Sequence, residues 1–217
     1  LVCTSGQNTT KTVYDALAIR NDFFQRPWEI WRLISYGFMH SPFWEPNGGI
    51  WHILTNGFLL WMFGRFVEQR YGSSEFLRFY MLAIIFSGLV FVVTTLDPEV
   101  TQAVGASGGV TAIVILFCLL YPHEKLLVYG IIPVPAWVVG LLLVGMDVLR
   151  GIGDAKGIAR EAHLGGAGFA AAYYFLKWEF AFLGRLSFLK RKPKLAVYRE
   201  DDTGLLSEDE PSAEKQL

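Results

Sequence analysis

Three motifs place polar side chains inside apolar stretches of this 217-residue chain, in residue types that could carry out acyl transfer. Ser107 lies in the string Gly-Ala-Ser-Gly-Gly, and a serine hydroxyl becomes a nucleophile when a histidine accepts its proton. His163 could be that base, because a histidine in a stretch otherwise free of charge up to Leu176 marks a functional position. His52 and Asn56 lie four residues apart and can donate hydrogen bonds to an oxyanion.

Each motif also has a purely structural interpretation. On a helix, His52 and Asn56 share one face and could serve as interhelical polar contacts worth about 0.6 kcal/mol each. Gly105 and Gly109 have the small-xxx-small spacing that lets membrane helices pack closely. His163 could be a packed and hydrogen-bonded side chain. Taken together, the motifs favour catalysis, because nucleophile, base and hydrogen-bond donors would come from three different helices.

Composition predicts that the elements carrying these motifs cross a membrane. The chain is 53% hydrophobic and 18% charged, whereas about 25% of residues are charged in an average soluble protein. Stretches without Asp, Glu, Lys or Arg predict five spanning helices at about residues 50–67, 77–96, 106–121, 127–148 and 161–178. A soluble protein with buried helices is the alternative, but five such stretches leave too little polar surface to keep it in solution. The predicted fold is therefore an all-α, polytopic membrane helical bundle.

The chain divides into three predicted segments. Residues 1–50 mix tryptophans with charges and prolines, which is typical of an external loop at the membrane interface. Residues 51–180 form the transmembrane core, and residues 181–217 are a polar, disordered cytoplasmic tail. Prolines in the string Ile132-Pro133-Val134-Pro135 delay or kink the start of the fourth helix. The distribution of Lys and Arg places Ser107 and His163 near the outer ends of their helices, where water can reach them.

Charge and cysteine content exclude other classes. A net charge of -1 gives no basic field for nucleic acid. Two cysteines, Cys3 and Cys118, are too few for a disulfide-rich scaffold. A channel or transporter that used the same polar residues would carry more intramembrane charge and internal repeats than this chain has. His52 and His163 lack the Cys or carboxylate neighbours that a zinc site needs, so we expect no metal.

The ordered motifs resemble the rhomboid family of intramembrane serine proteases, over roughly residues 31–178. The matching strings are Trp31-Arg32 in the first external loop, His52 and Asn56 as H-x-x-x-N of helix two, Gly105-Ala106-Ser107-Gly108 as G-x-S-G of helix four, and Ala162-His163 with Gly166 as A-H-x-x-G of helix six. The resemblance implies a six-helix core whose helices two to six are the five predicted spans. We expect the first helix to be largely missing from this chain.

Residue roles follow from the same resemblance. It implies that Ser107 is the nucleophile, His163 is the base, and His52, Asn56 and the Ser107 amide form the oxyanion hole. It also implies a Ser–His dyad in which no acid is needed, although Glu161 and the sequence-distant Asp147 are the acids nearest to His163. One departure is Thr111, which stands where many bacterial members have a tyrosine stacked on the histidine.

The expected function is cleavage of transmembrane protein substrates by a serine endopeptidase with no cofactor. Its expected partners are those substrates and the lipid bilayer, and its expected location is the plasma (inner) membrane of a bacterium as a multi-pass protein. The alternative within the same family is a catalytically inactive relative that binds membrane clients. Such relatives typically lose the serine or the histidine, whereas this chain retains Ser107 and His163.

Overall fold

A computed structural model of the chain describes residues 2–4, 16–40, 49–95, 100–128, 130–152 and 160–178. The α-helices are α1 (Arg32–Ser35), α2 (Gly49–Tyr71), α3 (Ser73–Thr94), α4 (Ser107–Leu120), α5 (Ala136–Ile152) and α6 (Arg160–Phe175). The strands are β1 (Val2–Thr4), β2 (Ile19–Arg20), β3 (Val100–Ala103), β4 (Lys125–Val128) and β5 (Ile132–Pro135). The predicted all-α helical bundle is confirmed. The predicted tail, residues 181–217, lies outside the described residues.

Helix α4 lies at the centre of the bundle. Each of its residues from Gly108 to Cys118 is buried, and the helix contacts α2, α3, α5 and α6. A helix that is apolar on all sides has no face suited to water and is stable only when neighbours surround it. Because Ser107 is the first residue of α4, the packing of this helix fixes where the serine lies.

Glycines allow α4, α3 and α6 to approach one another closely. A methyl group added at Gly108 would lie 2.6 Å from Ser87 Cβ of α3 and 3.1 Å from the Ala162 carbonyl oxygen of α6. One added at Gly166 of α6 would collide with the Gly108 carbonyl oxygen and lie 3.1 Å from Ser87 Oγ. Small residues at a helix crossing permit such backbone contact in membrane proteins. We call these three helices the glycine-packed centre.

Helices α2 and α5 flank this centre and expose large apolar side chains. Trp51 of α2 is 73% exposed, and Leu141 and Leu149 of α5 are also mostly exposed. Exposed apolar surface of this kind suits lipid rather than water. Among the described residues, α3 is the one helix both long and apolar enough to cross a bilayer, and α4 and residues 136–149 of α5 are shorter apolar helices.

The fourth predicted span, residues 127–148, begins too early, because its first residues form strands rather than a helix. Strands β4 and β5 form an antiparallel hairpin in which Lys125 pairs with Pro135 and Val128 with Ile132. Helix α5 begins only after Pro135, because Pro133 and Pro135 have no amide hydrogen with which to continue a helical ladder. The other four predicted spans contain α2, α3, α4 and α6, with boundaries that differ by several residues.

Side-chain contacts hold the segment before α2 together, and one hydrogen bond attaches it to the bundle. Arg32 donates from Nη1 to the Ala18 carbonyl at 2.7 Å, and its Nε lies 2.6 Å from a Glu29 carboxylate oxygen. The Tyr36 hydroxyl donates to the Ile84 carbonyl of α3 at 2.5 Å. Strand β3, which precedes α4, pairs antiparallel with both β1 and β2. Within the predicted interfacial segment, residues 5–15 and 41–48 lie outside the described part of the chain.

Candidate active site

Ser107 begins α4 immediately after a turn that only glycine adopts readily. Gly105 has a φ of +124°, in the left-handed region where a side chain would be strained. Its amide donates to the Tyr36 carbonyl at 2.9 Å, which attaches the turn to the preceding segment. The first helical hydrogen bond of α4 runs from the Val110 amide to the Ala106 carbonyl. The amides of Ser107 and its next two residues therefore lie at the positive end of a helix, where they favour a negatively charged oxygen.

His163 of α6 meets the Ser107 hydroxyl. Its Nε2 lies 2.8 Å from Ser107 Oγ, within hydrogen-bond distance, although the two residues are 56 positions apart in the chain. The packing of Gly166 against Gly108 holds the two helices at the separation that this contact needs. The structure thus brings together the predicted nucleophile and base.

Asp147 of α5 lies on the opposite side of the same imidazole. Its Oδ2 is 3.2 Å from His163 Nδ1, and the residue is buried, at 4% exposure. Asp147 is distant only along the chain: the family resemblance implies that no acid is needed, and the structure nevertheless places this carboxylate against His163. A carboxylate inside an apolar helix is costly unless it has a partner, and that cost was the signal that could have identified it.

His52 of α2 borders the same space as Ser107. A methyl group at Gly105 would lie 2.8 Å from His52 Cε1, 3.1 Å from His52 Nε2 and 3.8 Å from Ser107 Oγ. The imidazole also packs edge-on against His40, with the ring centroids 5.1 Å apart. Within the described part of the chain, His52 Nδ1 is buried without a hydrogen-bond partner. Such a nitrogen is available to a ligand or to water.

Asn56 lies one turn further along α2 and is buried. Its Nδ2 donates to the His52 carbonyl at 2.9 Å, so one of its two amide hydrogens is used within its own helix. Among the described residues, this bond gives the second hydrogen no acceptor, so that hydrogen could serve another one. His52 and Asn56 therefore lie on a shared face of α2, as their spacing predicts. Of the two, His52 is the residue that borders the same space as Ser107.

The residue types around the site fit acyl transfer. Among the described residues, no group of three or more His, Cys, Asp or Glu side chains is close enough to hold an ion. Thr111 is buried in α4, one turn beyond Ser107. Burial lowers the pKa of His40, the loop histidine beside His52, below its ordinary value of 6.5. A nucleophile, a base, a carboxylate on that base and nearby amides are the groups that an acyl-transfer site requires.

Several characterised proteins are similar to this chain. RHOMBOID-like protein 12, mitochondrial, of Arabidopsis thaliana is 32% identical over 137 residues, 56% of this chain and 41% of that protein. Rhomboid protein 1, mitochondrial, of Saccharomyces cerevisiae is 30% identical over 149 residues, 65% of this chain and 40% of that protein. Presenilin-associated rhomboid-like protein, mitochondrial, of Homo sapiens is 24% identical over 155 residues, 70% and 39% of the respective lengths. The chain spans about two fifths of the length of these curated relatives.

These relatives overturn the expected location in a bacterial plasma membrane. Their names place them in mitochondria. The expectation was wrong because the length and apolarity of a helix show that it can cross a bilayer, not which bilayer it crosses. The expectation of an integral membrane protein is supported by the same relatives.

The family comparison covers most of the chain. Residues 27–180 match the rhomboid domain family. This stretch contains all of the α-helices described above, together with Ser107, Asp147 and His163. The chain therefore belongs to the rhomboid family.

Proposed function

We propose that this chain is an intramembrane serine endopeptidase that cleaves transmembrane proteins. The contact that carries the proposal is the 2.8 Å distance between Ser107 Oγ and His163 Nε2. The two groups come from α4 and α6, whose backbones are in direct contact at Gly108 and Gly166, so their separation is fixed before any substrate binds. Pre-set geometry of this kind is what a nucleophile and its base require.

The proposed reaction has two steps. Ser107 Oγ attacks the carbonyl carbon of the scissile peptide bond while His163 Nε2 accepts the hydroxyl proton. The carbon–nitrogen bond then breaks, and the imidazolium returns the proton to the leaving amine. Water, deprotonated by His163, subsequently hydrolyses the ester on Ser107. The Ser107 amide at the start of α4, with His52 and Asn56, would stabilise the oxyanion formed in each step.

The surroundings of the site support this substrate class. Ser107 and His163 lie among helices whose outer faces are apolar, so we expect a substrate to reach them from within or beside the bilayer. A transmembrane segment that unwinds locally would present a peptide carbonyl there. By analogy with the mitochondrial relatives, we place the protein in a mitochondrial membrane.

The test is activity-based labelling and cleavage by the full chain in lipid nanodiscs. A fluorophosphonate probe should modify Ser107 of the parent, and neither Ser107→Ala nor His163→Ala should be labelled or cleave a model transmembrane substrate. Ser74→Ala, which changes an exposed serine at the start of α3, is the matched control and should behave like the parent. Labelling at another serine, or cleavage by Ser107→Ala, would contradict the assignment. A folded parent that binds the substrate but is neither labelled nor active would support the client-binding alternative.

A further inference from the structure

We propose that Asp147 is a positioning residue that holds His163 in its reactive tautomer. Ser107, His163 and Asp147 would then act as a three-residue relay contributed by α4, α6 and α5. This inference rests on the proposed protease function and replaces the two-residue arrangement that the family resemblance implies. The observation behind it is that the two nitrogens of one imidazole contact two different groups.

The hydrogen-bond chemistry of the three groups allows one consistent arrangement. A neutral imidazole has one nitrogen that donates and one that accepts. A carboxylate only accepts, so Asp147 Oδ2, 3.2 Å away, selects the tautomer with the hydrogen on Nδ1. Nε2 then carries the lone pair that can take the hydroxyl proton of Ser107, 2.8 Å away. The opposite tautomer would place a hydrogen on Nε2 and leave Ser107 without a base.

The burial of Asp147 distinguishes it from its neighbours on α5. Met146 and Val148, the residues on either side, are 51% and 47% exposed, whereas Asp147 is 4% exposed. The one carboxylate in this part of the helix therefore points into the bundle while adjacent side chains point outward. An ionisable group buried in an apolar helix is expensive and is retained where it has a partner and a role.

Among the described residues, the other charges near His163 do not offer it an equivalent acceptor. Glu161, two residues before His163 on α6, has a carboxylate oxygen 2.9 Å from Arg160 Nε. His52, on the α2 side of the site, is a base rather than an acid. Asp147 is therefore the acceptor that supports His163 at Nδ1.

Asp147 has its largest proposed effect after the hydroxyl proton has moved from Ser107 to His163. Once Nε2 has taken the proton of Ser107 Oγ, the imidazolium carries hydrogens on both nitrogens and a full positive charge. The Asp147 carboxylate would stabilise this charge through the bond from Nδ1–H. The same proton then passes from Nε2 to the leaving amine.

Asp147→Asn is the direct test, with Glu161→Gln as the matched control. The asparagine amide can donate to Nδ1, which would put the imidazole hydrogen on Nε2 and block proton transfer from Ser107. We expect the rate of fluorophosphonate labelling at Ser107 to fall by about 10⁴-fold, the loss of kcat that the same substitution causes in a serine–histidine–aspartate protease. Glu161→Gln should stay within about twofold of the parent, and Asp147→Glu should recover part of the loss.

A spectroscopic measurement separates positioning from a merely structural role. ¹⁵N NMR of the imidazoles in the full chain, assigned by the signal lost in His163→Ala, should show the hydrogen of His163 on Nδ1 in the parent and on Nε2 in Asp147→Asn. If Asp147→Asn fails to fold, the parent spectrum alone decides, because a hydrogen on Nε2 there would overturn the inference.

The outcomes for Asp147 and for the proposed function are distinguishable. Parent-like labelling and an unchanged tautomer in Asp147→Asn would overturn the relay while Ser107→Ala and His163→Ala still establish the protease. Labelling that is independent of Ser107 would instead remove the proposed function, whatever Asp147 does.

Discussion

The glycine-packed centre and the two flanking helices contribute different things to one site. Helices α4 and α6 of the centre supply Ser107 and His163, whose side chains meet because the backbones touch. The flanking helices, α2 and α5, supply His52 and Asp147, which approach that pair from either side. From this difference we expect the centre to determine whether the proposed nucleophile and base meet, and the flanks to determine how well they react.

The two regions also differ in how they can respond to change. A backbone-to-backbone contact such as Gly166 on Gly108 cannot be relieved by rotating a side chain, so a larger residue must separate the helices. The polar residues of α2 and α5 reach the site through flexible side chains on helices that are largely exposed to lipid. Changes at the centre should therefore reduce stability, and changes in the flanks should reduce the rate.

The largest expected effect is that of Gly166→Ala. The added methyl group would collide with the Gly108 carbonyl oxygen and push α6 away from α4, so the free energy of unfolding should fall by about 3 kcal/mol. Because the same displacement separates His163 from Ser107, labelling of Ser107 should be lost in the fraction that remains folded. Thermal unfolding in detergent, followed by circular dichroism, measures the first effect and probe labelling the second.

Gly168→Ala is the matched control for that variant. It lies two residues along the same helix, and a methyl group there meets nothing within 4 Å. Alanine should raise helix stability by up to about 1 kcal/mol relative to glycine. Equal destabilisation by the two substitutions would show that the crossing at Gly166 is not what holds the centre together.

The helices and the order of the motifs could be predicted from the sequence because both are local properties. Uncharged stretches, such as those between Glu45 and Arg65 or between Val100 and His123, directly indicate helices that are buried in protein or in lipid. The spacing of His52 and Asn56 likewise fixes a shared face, since four residues make about one helical turn.

The remaining features depend on contacts that no local pattern reports. Asp147 and His163 are 16 residues apart on different helices, and only the packing of α5 on α6 brings them together. The crossing of Gly108, Gly166 and Ser87 involves three helices, whereas each glycine alone fits many packing arrangements. The first part of the predicted span 127–148 forms strands instead, which its residues do not reveal because they are as apolar as the helix that follows.

A smaller effect is expected for His52→Ala in the flank. Loss of one oxyanion donor typically lowers kcat by about 10²-fold, or about 2.7 kcal/mol of transition-state stabilisation. The Ser107–His163 contact should remain, so the unfolding temperature should change much less than in Gly166→Ala. Steady-state cleavage of a transmembrane substrate measures the rate, with Thr55→Ala, an exposed position on the same helix, as control. A large loss of stability with an unchanged rate would reverse the roles assigned to flank and centre.

The smallest expected effect concerns His40, which packs edge-on against His52 in the flank. Burial holds the pKa of His40 below its ordinary 6.5, so between the two values the unfolded chain binds a proton that the folded chain does not. The contribution of His40 to stability is therefore constant above pH 6.5 and is lost as the pH falls below it, at no more than about 1.4 kcal/mol per pH unit for one proton. His40→Gln should flatten this decline in unfolding experiments from about pH 7.5 to about pH 5, a range that brackets the ordinary pKa of an imidazole. His123→Gln, at an exposed histidine beyond α4, should retain the parent slope. If stability depended on pH with the same slope in His40→Gln and in the parent, His40 would not be the source of that dependence.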